Sequence, residues 1–125
     1  MYSFSIKHAT NKIKKILVVR IGAIGDFVQT LPTIYTLRKS FPEAYLEIMG
    51  YVSIAELAKG KYYADAISSF DQRGISYFFR NPELSYQEIE LTKSLRNYFS
   101  SFDIIFLFLH SSGNNFYENL KRIRG

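Results

Sequence analysis

The chain has 125 residues, 47% of them hydrophobic and 22% charged, which is the size and balance of one ordinary globular domain. It contains no cysteine and only two histidines, which excludes a disulfide framework and a cysteine nucleophile and argues against a bound metal. Its longest wholly apolar run, residues 104–109, falls far short of the roughly 20 residues that a membrane span requires.

Residues 1–14 show no clear period and read as a basic N-terminal arm. Lys7, Lys12, Lys14, Lys15 and Arg20 all precede Asp26, the first acidic residue, and Lys121, Arg122 and Arg124 close the chain toward a net charge of +5. Such a distribution is either solvated surface or an attraction toward an anionic membrane face or a phosphorylated substrate. No nucleic-acid motif accompanies it, so nucleic acid is not an expected partner. The absence of cysteine fits a cytoplasmic protein.

Residues 15–20 (KILVVR) form a β-branched run of buried-strand type. After the segment IGAIGD, the residues Phe27, Leu31, Ile34, Leu37 and Phe41 recur at helical spacing, with Asp26 at the expected N-cap. Pro32 should kink this helix or displace its first turn, and Phe41-Pro42 marks its end. Residues 45–51 predict a second strand, followed by a short helix with a Ser53/Glu56 capping box and Gly60 at its close. A third strand is expected over residues 66–70 and an irregular aromatic stretch over 71–81. Asn81-Pro82 then opens a helix whose apolar face carries Leu84, Leu91, Leu95, Tyr98 and Phe99. Residues 103–109 (DIIFLFL) predict a strand buried on both faces, 110–115 a loop and 116–122 a last helix.

Four alternations of strand and helix predict an α/β fold, a Rossmann-like parallel sheet with helices on both faces. Ligands of such sheets bind beyond the carboxyl ends of the strands, where the loops 21–26 and 110–115 should line one crevice. The first loop does not carry a dinucleotide fingerprint, because Arg20 stands where the first glycine belongs and Gly50-Tyr51 where an acid should hold the ribose. It lacks the lysine of a P-loop as well. What remains is G-x-x-G-D at the start of a helix, which suits an anionic or oxygen-rich ligand. Asp26 then either caps the helix or, facing the crevice, takes a proton from an attacking hydroxyl.

The run KILVVRIGAIGDFVQTLPTIYTLRKSFPEAYLEIMGY carries Gly25-Asp26, Thr30-Leu31-Pro32 and Phe41-Pro42-Glu43-Ala44 in order. In this it resembles the opening of glycosyltransferase family 9, the ADP-heptose:lipopolysaccharide heptosyltransferases and their relatives. Residues 62–71 and the Phe102-Asp103 start of the fourth strand fit as well, so the resemblance covers nearly all of the chain after the arm. It implies the N-terminal half of a GT-B architecture, with residues 15–125 as the acceptor-side domain. The activity implied is metal-independent, inverting transfer of heptose from ADP-heptose to the lipopolysaccharide inner core, with no cofactor. Asp26 would be the general base. Gly22, Ala23, Ile24 and Gly25 would shape the acceptor side, with His110, Ser111 and Ser112 opposite. The basic arm and residues 77–80 would suit a phosphorylated lipid acceptor at the inner face of the cytoplasmic membrane.

Two departures qualify the resemblance. The acid that relatives carry after the fourth strand is missing, and His110 either takes its place or only caps the strand. Two such domains need roughly 250–350 residues, so the donor domain that would hold the nucleotide-sugar is absent from this chain and the domain is expected to be truncated and inactive by itself. The alternative is a non-catalytic orphan Rossmann-like binding module or a gene remnant.

Overall fold

A computed structural model describes residues 2–5, 12–20, 24–56, 63–69, 89–108 and 114–124. The expectations resting on Gly60, Tyr77–Phe79, Asn81-Pro82 and Leu84 lie outside these residues. So do Gly22, Ala23 and His110–Ser112.

Five strands form one sheet: β1 (Tyr2–Ser5), β2 (Lys15–Arg20), β3 (Tyr45–Gly50), β4 (Ala66–Ser69) and β5 (Ile104–Phe108). Their order is β1-β5-β2-β3-β4. The pairs β5–β2, β2–β3 and β3–β4 are parallel, which is the predicted α/β Rossmann-like core. The N-terminal arm adds something the sequence reading omits. Tyr2–Ser5 pairs antiparallel with Ile104–Leu107 and covers the outer edge of β5.

Side-chain alternation along the strands divides the interior into two cores. Leu17, Val19, Met49, Ile105 and Leu107 face α3 (Ile89–Ser100) and α4 (Asn114–Arg124), meeting Leu95, Phe99, Phe116 and Leu120. Ile16, Val18, Leu46 and Ile48 face the other way, toward Phe27 and Ile34 of α1 (Ile24–Ser40) and Ala55 of α2 (Val52–Ala55). Helices therefore cover both faces, as the near-continuous apolar strands require.

Helix starts differ from the sequence reading. α1 begins at Ile24, so Asp26 lies inside its first turn rather than at the cap. α2 begins before Ser53, because the Tyr51 carbonyl already accepts the Ala55 amide at 2.8 Å. Pro32 does not end α1, which continues to Ser40 although Pro32 offers Val28 no amide.

Two polar ties set the amino ends of the strands. Asp103 Oδ2 accepts the amides of Lys14 and Lys15 at 2.7 and 3.0 Å, joining the entries of β2 and β5. The buried Arg38 guanidinium donates to the carbonyls of Tyr63, Pro42 and Ala44 and to Asp65, joining the end of α1 to β3 and the approach to β4. Among the described residues no helix is long and apolar enough to cross a membrane.

Candidate functional site

The strand order places β3 and β4 on one side of β2 and β5 on the other. The direction of winding thus reverses between β2 and β5, which is where an open α/β sheet parts to admit a ligand. At that point β2 ends in Arg20, paired in register with Phe108, the last residue of β5. The first turn of α1, starting at Ile24, brings Gly25 and Asp26 to the same end of the sheet.

Asp26 is held there from two directions. The Thr30 hydroxyl donates to its carbonyl at 2.9 Å, a back-bond one turn along the helix. Arg20 donates from Nε to the same carbonyl at 3.3 Å and from Nη1 to the Phe108 carbonyl at 3.2 Å, while its Nη2 lies 3.5 Å from Asp26 Oδ1. The Arg20 side chain is 13% exposed and that of Asp26 35%. The carboxylate is therefore partly exposed at the carboxyl end of β2 while its backbone is held. An acid in the first turn also meets the favourable end of the helix dipole. Such a group can accept a hydrogen bond or a proton from a bound hydroxyl.

Gly25 stands beside it, and among the described residues outside its own helix turn no atom lies within 4 Å of where a Cβ would sit. Gly50, across the end of β3, is the opposite case. A Cβ there would fall 2.6 Å from the Arg20 carbonyl oxygen, so glycine is what allows β3 to lie against the end of β2. Exposed Tyr51 and Val52 continue the chain just past Gly50, and exposed Val28 lies on α1. Ile24 contributes its backbone to the first turn of α1.

A second polar group lies inside the α3 face of the sheet. Glu47, buried mid-strand on β3, accepts hydrogen bonds from the hydroxyls of Tyr45, at 2.7 Å, and Tyr98. Ser68 on β4 lies 3.2 Å from the Tyr98 hydroxyl. Burial first, and then the hydrogen bond and charge of Glu47, hold the Tyr45 phenol well above the usual tyrosine range. This network ties α3 to the sheet at mid-strand, away from the carboxyl ends of β2 and β5. An open depression of about 410 Å³, lined by Arg38, Pro42, Glu43, Ala44, Tyr45 and Asp65, sits at the amino end of β3, opposite the Asp26 end. Among the described residues no group of three or more His, Asp or Glu side chains could hold a metal ion.

Arg20 is the residue at this site that sequence reasoning missed. Its one signal was a charge ending an otherwise apolar strand, and its partner on β5 lies 88 positions away. Fold and site together define an α/β domain with an acidic first turn at the topological switch point. No family model, curated protein or solved structure matches the chain.

Proposed function

We propose that this chain is the acceptor-binding domain of a metal-independent, inverting glycosyltransferase, with heptose transfer from ADP-heptose to a lipopolysaccharide inner core as the reaction served. The observation that carries the reading is the Asp26 carboxylate, partly exposed in the first turn of α1 and beside Gly25, whose Cβ position no described residue beyond its own turn approaches within 4 Å. In this reading Asp26 takes the proton from the acceptor hydroxyl as that oxygen attacks the anomeric carbon and the nucleoside diphosphate leaves from the opposite face. A metal is not needed for that step if the leaving diphosphate is stabilised by a separate nucleotide-sugar domain. Thr30-Leu31-Pro32 and Phe41-Pro42-Glu43-Ala44, in order after Gly25-Asp26, support the same assignment by resemblance. The site of action would be the cytoplasmic side, peripheral to the inner membrane face.

The test is titration of the chain with an inner-core lipopolysaccharide fragment that ends before the first heptose, followed by amide NMR. Saturable shifts concentrated in residues 24–30 and 104–108 are expected. Shifts that are absent, or scattered over the surface, would remove the proposal. A non-catalytic binding module is the second reading, favoured by the engagement of Asp26 with Arg20. Under it, Asp26→Asn should leave glycan affinity unchanged, and the chain complemented with a nucleotide-sugar domain should show no transfer that depends on Asp26. If Asp26 is a general base, the same substitution should lower the transfer rate by about 100-fold or more while the domain stays folded.

A further inference from the structure

We infer that Arg20 is the positioning residue of this site, orienting the Asp26 carboxylate and tying the first turn of α1 to the end of β5. The functional weight of this inference rests on the glycosyltransferase reading, but the positioning itself does not.

Arg20 is the last residue of β2, and its guanidinium serves two other elements at once. One arm donates to the Phe108 carbonyl at the end of β5, and Nε donates to the Asp26 carbonyl in α1. The remaining nitrogen lies 3.5 Å from the Asp26 carboxylate. A planar fork with donors in fixed directions can span these three oxygens, whereas an ammonium on a flexible stem cannot. At 13% exposure the Arg20 guanidinium is largely shielded in its bonds to the two carbonyls, whereas its pairing with the 35% exposed Asp26 carboxylate is screened by solvent. Thr30 holds the Asp26 backbone separately, so losing Arg20 should loosen the tie between the carboxylate and the strand ends without unwinding α1. Gly50 belongs to the same arrangement, since any side chain there would push on the carbonyl of Arg20 itself.

The test uses the full chain and its Arg20→Lys and Arg20→Gln variants. Three-bond couplings from the Asp26 backbone nitrogen and carbonyl carbon to its Cγ report the χ1 rotamer directly. A single rotamer is expected in the wild type and averaged couplings in both variants, with amide shifts of β3 and β4 unchanged. Equal couplings in wild type and variants would overturn the inference. A measurement on the wild type needs no variant to fold: the Arg20 Nε proton should exchange slowly with water, and rapid exchange would overturn the inference equally. The inner-core fragment should bind Arg20→Lys about tenfold more weakly than wild type. Wild-type chain that does not bind the fragment, with the coupling change intact, removes the glycosyltransferase reading and upholds the positioning role. Binding that is intact with couplings unchanged does the reverse.

Discussion

Gly25 and Gly50 stand at the same end of the sheet, yet a methyl group added to each meets opposite surroundings. At Gly50 the obstacle is the Arg20 carbonyl at 2.6 Å, a backbone atom that cannot swing aside. Gly50→Ala should therefore cost about 1–3 kcal/mol, measured by urea unfolding, with shifts spreading to Asp26 through Arg20. At Gly25 the added carbon meets no described residue beyond its own helix turn, and the residue lies in a helix, so Gly25→Ala should raise stability by about 0.5–1 kcal/mol. If that space receives the acceptor, the more stable variant should also bind it less well, separating a ligand site from vacant surface. Tyr45 gives a pH test of the Glu47 network. Its folded phenol keeps its proton to higher pH than the unfolded one. The stability it contributes is therefore whole below about pH 10 and declines as pH rises beyond that, toward the folded value. The stability gap between wild type and Tyr45→Phe should be constant below about pH 10 and narrow as pH rises above it, and a gap that stays constant above about pH 10 would contradict the assignment.

At the scale of elements, α1 shows both what the sequence discloses and what it withholds. The spacing of Phe27, Ile34 and Leu37 discloses the helix and its inner face, because burial on one side of a 3.6-residue repeat leaves that mark. Its start is withheld: Asp26 has the chemistry of a cap, but the helix takes in Ile24 and Gly25 first. Pro32 was expected to kink or displace, and the helix carries it within an unbroken span, on the exposed side. Replacing it should restore an amide to the Val28 carbonyl, so Pro32→Ala is expected to stabilise by about 1–3 kcal/mol in thermal or urea unfolding. No gain would mean that the conformation imposed by Pro32 is needed by its neighbours. The β-branched and apolar runs of β2, β3 and β5 were likewise legible, and so was the adjacency of β2 and β5. The ties between elements were not. Glu47 looks like an ordinary polar residue of a half-exposed strand until Tyr98, 51 positions on, brings its hydroxyl to it. Arg38 looks like a solvated helix end until the carbonyls of Tyr63, Pro42 and Ala44 converge on it. Period and composition record burial, whereas pairings across long separations leave no local trace.

The whole molecule poses its question at the N-terminus, where one segment invites two explanations. By charge, residues 1–14 read as a basic arm for an anionic membrane face, whereas Tyr2–Ser5 pairs with β5 as an edge strand. A run of four residues with alternating Tyr, Ser, Phe and Ser is too short to announce a strand by period, so the pairing was hidden. The two roles use different atoms: edge cover uses the backbone of β1, and lipid attraction uses the exposed lysine charges of Lys12 and Lys14. Lys14 has a structural duty as well, but it is met by its backbone amide on Asp103 and survives a side-chain change. Removing residues 1–5 should uncover the polar edge of β5, which then seeks another strand. Sedimentation should show concentration-dependent association of that truncated chain, while its binding to anionic vesicles persists. Lys7→Gln, Lys12→Gln and Lys14→Gln together should do the opposite, leaving a monomer that no longer sediments with vesicles at physiological salt, where about 1 kcal/mol per basic residue is lost. Vesicle binding that follows the strand instead of the charges would make the N-terminus an edge cover and end its assignment as a membrane arm.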